Sequence, residues 1–146
     1  MSRALTIWDF EGAWTYAREI DDATGLGAGA GQGTARFIRQ DGALRYDEEG
    51  QIAFATTPPM KGSRRYLWRE TPAGAAVFFE DGRAFHDVDL RQGSPAAAHW
   101  CDPDQYDVTY DFSDWPRWSS LWRVKGPRKD YTMRTTYHRP GAATEG

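Results

Sequence analysis

Residues 65–90 read RYLWRETPAGAAVFFEDGRAFHDVDL, and this stretch decides the fold. Three runs, 65–70, 75–80 and 83–90, are rich in aromatic and β-branched residues that suit a pleated, half-buried surface. Between them stand Thr71-Pro72-Ala73-Gly74 and Asp81-Gly82, the proline and Asp-Gly punctuation of tight hairpins. The same signals recur at Asp41-Gly42, Asp102-Pro103-Asp104-Gln105 and Gly126-Pro127-Arg128-Lys129. Working outward, the spacing predicts strands over 13–21, 34–40, 43–47, 51–55, 65–70, 75–80, 83–90, 97–101, 106–112, 118–125 and 130–139. So many short strands in one small domain must hide their edges, and closing the sheet does this. The expectation is all-β: an antiparallel up-and-down β-barrel of about 8–10 strands, in one domain with its core over about 9–139 and a tail at 140–146. Glycine at alternate positions from Gly25 to Gly33 reads as a flexible loop between the first two strands, because no helix or P-loop Lys-Ser/Thr pair follows.

Composition agrees. The 146 residues carry seven Trp, seven Tyr and seven Phe, a net charge of −3 and one cysteine. A chain of this size buries roughly two-thirds of its unfolded surface, enough for a core without staples. Cys101 has no partner for an internal disulfide and no secretion signal opens the chain, so a reducing, cytoplasmic setting is expected. No apolar run approaches a membrane span, and no membrane partner is expected. The basic stretch 117–139 alternates with apolar residues and the pI is about 5.6, which favours a solvated outer wall over nucleic-acid binding.

Hairpin arithmetic predicts which side chains share a face, since facing residues have a constant index sum. One row runs Trp68, Val77, His86, Cys101, Tyr106, with His99 beside Val88 and Val108, and with Tyr66, Phe79, Ala84 and Tyr110 on the same face. In the last hairpin Trp118, Ser120, Trp122 and Val124 face Tyr137, Thr135, Met133 and Tyr131, leaving Arg117, Arg123, Lys125 and Arg134 outside. Trp14, Tyr16, Arg18 and Ile20 share the inner face of the first strand, so Arg18 is an interior cation that must meet a carboxylate, a tyrosine hydroxyl or an anionic ligand.

Gly12-x-Trp14 at the head of the first strand, with Arg134 and Arg139 on the last, resembles the calycin superfamily of lipocalins and fatty-acid-binding proteins. The resemblance implies an Arg packed across Trp14, a role open to either arginine. Asp81-Gly-Arg-x-Phe-His86, His99-x-Cys101-x-Pro-Asp104-x-Tyr106 and Trp122-x-Val-x-Gly-Pro-x-Lys129-Asp-Tyr131 look like an uncharacterised bacterial family with a calycin-like barrel and no established activity.

An interior of Trp, Tyr, His and Arg is more polar than packing alone requires, which points to binding of a small, aromatic or amphipathic anionic molecule. The candidate ligand-binding residues are Arg18, Trp68, His86, His99, Cys101, Tyr106, Tyr110 and Trp122. The alternative is a small enzyme doing lyase or isomerase acid–base chemistry in the same cavity; a filled barrel serving protein interaction is the third. His86, His99 and Cys101 are metal-ligand types, but their spacing matches no zinc motif, so no metal is assigned and no cofactor is named.

Overall fold

The computed structural model describes residues 4–141, so most of the tail expected at 140–146 lies outside the described residues. Ten antiparallel strands make one sheet: β1 (Gly12–Asp22), β2 (Gly27–Gln40), β3 (Ala43–Phe54), β4 (Met60–Thr71), β5 (Gly74–Phe79), β6 (Ala84–Asp89), β7 (Ala96–Cys101), β8 (Asp104–Asp111), β9 (Trp118–Lys125) and β10 (Asp130–His138). Their order is β6-β5-β4-β3-β2-β1-β10-β9-β8-β7. Every neighbour is also a chain neighbour except β1 and β10, which pair from Thr15↔His138 to Asp22↔Tyr131. The barrel is therefore up-and-down and nearly closed, with a seam between β6 and β7 that no ladder bonds join. Among the described residues no helix is long and apolar enough to cross a membrane.

The Gly25 to Gly33 segment corrects the expected loop. It lies mostly in β2, paired with β1 from Gly27 and with β3 from Gly29. The glycines at 29, 31 and 33 stand opposite Ile20, Arg18 and Tyr16, on the inner face, where bulky partners need room. The Phe54 ring covers Gly29, and the Tyr16 hydroxyl lies over Gly33 and Gly50. The expected strands 43–47 and 51–55 are likewise one strand, because Gly50 continues the ladder opposite Gly33 and Gly62 instead of breaking it.

One barrel end is plugged. A 3-10 turn, Ile7–Phe10, precedes β1, and both Ile7 and Phe10 are fully buried. The Phe10 ring meets Phe37, Trp68, Phe112, Trp115 and Trp118 with centroids 4.8–5.7 Å away. The Trp14 indole donates to the Phe10 carbonyl at 2.8 Å. Arg139 takes the closing role: its guanidinium lies 3.8 Å over Trp14 and donates to the carbonyls of Ala13 and Asp9. Arg134 points outward into solvent, as its strand parity demands.

Candidate functional site

Above the plug, alternate residues of every strand project inward and build the site in layers. From β3, Tyr46 and Glu48 lie opposite Tyr66 and Arg64 of β4. From β9, Ser120 and Trp122 lie opposite Thr135 and Met133 of β10, the pairing the sequence predicts. Together with Arg18, Trp68, Val77, Phe85, His86, Tyr110, Trp118 and Tyr137 they enclose a cavity of about 30 Å³. A water needs roughly 10–15 Å³ by the same measure, so the space holds about two waters. The interior is thus nearly filled, but by polar groups as well as rings.

The interior cation of β1 finds a carboxylate. Arg18 donates both terminal nitrogens to Glu48, at 2.6 and 2.8 Å, and its Nε to Thr135 Oγ1 at 2.9 Å. Both side chains are buried, 9% and 4% exposed. The Tyr46 hydroxyl donates to Glu48 Oε1 at 2.6 Å and so must accept from Tyr137, 2.8 Å away. A directed chain results, from Tyr137 through Tyr46 to Glu48, all pulled toward one ion pair. Burial pushes the Glu48 carboxyl up, and the Arg18 guanidinium more than offsets this, holding it below the usual range. Burial and the Glu48 charge push Tyr137 well up, so its proton stays on.

His86 stands across the cavity. Its Nε2 shares a hydrogen bond with the Tyr110 hydroxyl at 2.8 Å, while Nδ1 is buried and has no hydrogen-bond partner among the described residues. Burial, with His99 adding a smaller push, lowers its pKa to about 4. Trp118 Nε1 is likewise buried and without a hydrogen-bond partner among the described residues.

The cross-sheet row needs correction at its far end. Trp68↔Val77 and Val77↔His86 hold, but β6 and β7 are not paired, so His86 does not stand opposite Cys101. Cys101 pairs with Asp104 and His99 with Tyr106, because Asp102-Pro103 turns in two residues where four were expected. His99 consequently lies beside Tyr106, not Val108, which pairs with Ala97. A register shift between Val77 and Phe78 places Phe85 inside with His86, where Ala84 was expected. Phe85 stacks on Phe79 at 4.4 Å and meets His86, His99, Tyr106 and Trp122 edge-on.

Arg18, Trp68, His86, Tyr110 and Trp122 thus line the cavity, whereas His99, Cys101 and Tyr106 lie on the seam side outside it. Cys101 Sγ is 3.9 Å from Arg83 Nη1, and Tyr106 receives Lys129 at 3.2 Å. His86, His99 and Cys101 do not converge, and no group of three or more metal-ligand side chains occurs among the described residues. Sequence reasoning missed Glu48, Arg64 and Phe85. Glu48 lay in a supposed turn between two short strands, although its β3 parity with Tyr46 would have placed it inward.

Residues 10–139 match the profile of a family of unknown function, DUF6314. No curated protein matches the sequence. Among solved structures the chain is similar to the S-type phycobiliprotein lyase CPES from Guillardia theta, at 12% identity with a TM-score of 0.60, covering 95% of each chain. At that identity the likeness is one of fold.

Proposed function

Because the chain belongs to DUF6314, a family of unknown function, its activity has to be read from its own site, and we propose that it binds a small, aromatic or amphipathic anionic molecule inside the barrel. One observation carries the reading: two buried polar atoms on residues that line the ring-walled cavity, His86 Nδ1 and Trp118 Nε1, have no hydrogen-bond partner among the described protein residues. A buried group left unpaired costs about 1–3 kcal/mol, so these two atoms call for an occupant of the cavity that pairs them, a water in the resting protein and a polar group of the ligand in its place. The indole N–H asks for an acceptor, and the neutral imidazole offers a lone pair or a proton according to tautomer.

The cavity of about 30 Å³ is far below the roughly 300 Å³ of an ordinary ligand pocket, so an organic occupant must part the wall. The β6–β7 seam supplies the place, since Phe79, Phe85, His99 and Tyr106 meet there through ring contacts alone. Separating these strands breaks no ladder bonds. That a protein of this fold is named as a phycobiliprotein lyase supports a barrel used for more than packing.

The test is native mass spectrometry of freshly purified protein, followed by titration with aromatic carboxylates read at the Trp118 indole and His86 ring resonances. The expected result is an adduct lost on denaturation, or saturable shifts at both rings that His86→Phe removes at Nδ1. A bare mass together with unshifted resonances would refute the reading. The His86–Tyr110 pair also favours acid–base chemistry of lyase or isomerase type, because a neutral imidazole beside a phenol can take and return a proton. Turnover lost in His86→Phe with binding kept would select that version.

A further inference from the structure

Arg18 already has its counter-charge. Three of its five N–H groups are taken, one from each terminal nitrogen by Glu48 and Nε by Thr135, so the interior cation is neutralised by the protein itself. A second cation stands next to it. Arg64 Nε lies 3.9 Å from Glu48 Oε2, too far for a hydrogen bond, and its side chain is 34% exposed. Among the described residues no carboxylate lies within hydrogen-bonding distance of Arg64. Its guanidinium is 5.5 Å over the Trp122 ring, and one of its N–H groups is shared with the hydroxyl of Tyr66, a neutral partner that leaves the charge uncompensated. Arg18, Arg64 and Glu48 together therefore carry one uncompensated positive charge at the open end of the barrel.

That charge borders a second space. A vestibule of about 120 Å³ lies outside the ion pair, between Tyr16, Arg18, Glu48, Gly50, Gly62 and Arg64. It is left open on the β4 side, where Gly62 puts no side chain at the inward position paired with Gly50, while Tyr16 covers Gly50 itself. A Cβ on Gly62 would meet nothing within 4 Å. At roughly 10–15 Å³ for one water, the volume takes an oxyanion with part of its hydration shell.

We infer that this vestibule is an oxyanion subsite, in which Arg64 receives the carboxylate or phosphate group of the ligand while the ligand's ring lies toward Trp122. The inference rests on the interior-binding reading and names its charged subsite. A planar guanidinium with N–H groups left beyond the one shared with Tyr66 matches either oxyanion bidentately, and partial desolvation strengthens the contact. The Arg18–Glu48 pair holds the floor, since Glu48 keeps the anion off Arg18 and leaves Arg64 as the acceptor of charge.

The test titrates acetate and, separately, inorganic phosphate into the full chain, following the amides of Gly50, Gly62 and Ser63 by NMR. Wild-type protein should show saturable shifts there, with acetate alone indicating a carboxylate ligand and phosphate alone a phosphoryl one. Arg64→Gln should weaken binding about tenfold or more, Arg64→Lys should retain part of it, and Lys61→Gln should leave it unchanged. Absence of saturable shifts in the folded wild type, or equal shifts in Arg64→Gln, would overturn the subsite. A neutral probe, indole, reports separately on the interior through Trp118 and His86. Indole binding without anion binding sinks the subsite alone, and anion binding without indole binding leaves it standing while the interior reading fails.

Discussion

Replacing Glu48 by Gln keeps the volume of the side chain and removes its charge. In the native protein the carboxylate accepts Arg18 Nη1 at 2.6 Å, Arg18 Nη2 at 2.8 Å and the Tyr46 hydroxyl at 2.6 Å. An amide offers one oxygen to these three donors and turns an N–H toward another, so Arg18 becomes a buried cation without a counter-charge. Breaking one side of a buried pair costs about 3–5 kcal/mol, a large share of the 5–15 kcal/mol that holds a domain together. Urea unfolding followed by tryptophan fluorescence should show this loss as a lower midpoint at unchanged slope, and the melting temperature should fall by roughly 10–15 °C. Glu11→Gln, which breaks the exposed pair with Arg39, should leave the midpoint in place. The acid limb gives a second check. The folded pKa of Glu48 lies below its unfolded value, so its stabilisation is present above about pH 4.5 and is lost as pH falls through the depressed value. The gap between wild type and Glu48→Gln should therefore close in that window. A loss under about 1 kcal/mol at pH 7 would show that water, not Glu48, compensates Arg18.

Three further outcomes follow from the same geometry. His86 binds its proton only near pH 4 when folded against 6.5 unfolded, so stability should rise from pH 4 to 6.5 and be flat above. The full slope is worth about 3 kcal/mol, and ring-nitrogen NMR together with loss of the slope in His86→Phe would check it. Arg139→Ala should cost about 2–3 kcal/mol in urea, for the contact over Trp14 and two charge-assisted bonds, and Arg139→Lys should restore less than half because a single ammonium cannot stack and fork at once. Gly33→Ala should destabilise by about 1–3 kcal/mol, since its Cβ would sit 2.6 Å from Gly50 Cα; Gly62→Ala, with open space before it, should be neutral or slightly stabilising in the same unfolding assay.

What could be read from the sequence divides along a physical line. Tight turns transmit register, so the Asp41-Gly42 hairpin and the face of Trp118, Ser120, Trp122 and Val124 were legible residue by residue. Bulges and glycine-rich strands were not. The Val77/Phe78 irregularity brings Phe85 inward without any local signal, because a bulge is set by the partner strand. The glycines from 29 to 33 look like loop until one knows that Tyr16, Arg18 and Phe54 need the room above them. The need of Arg18 for a counter-charge was legible, but its identity was not, since Glu48 is brought opposite Arg64 only by the long β3–β4 ladder.

The placing of the seam has a consequence for how the chain finds its fold. The two strands nearest the ends of the described chain, β1 and β10, pair in the middle of the sheet across 123 residues of sequence, while β6 and β7, joined by a short connection, do not pair at all. Non-local pairing of this kind slows folding, because the chain must close a long loop before the contact rewards it. A permuted chain that starts at β7, runs through a linker from β10 into β1 and finishes at β6 would read in the same order as the sheet. Every ladder would then be local, at the same native contacts. The interior ion pair and the rings around it would form from neighbours in sequence, and the permutant should refold faster than the natural order with the barrel otherwise unchanged.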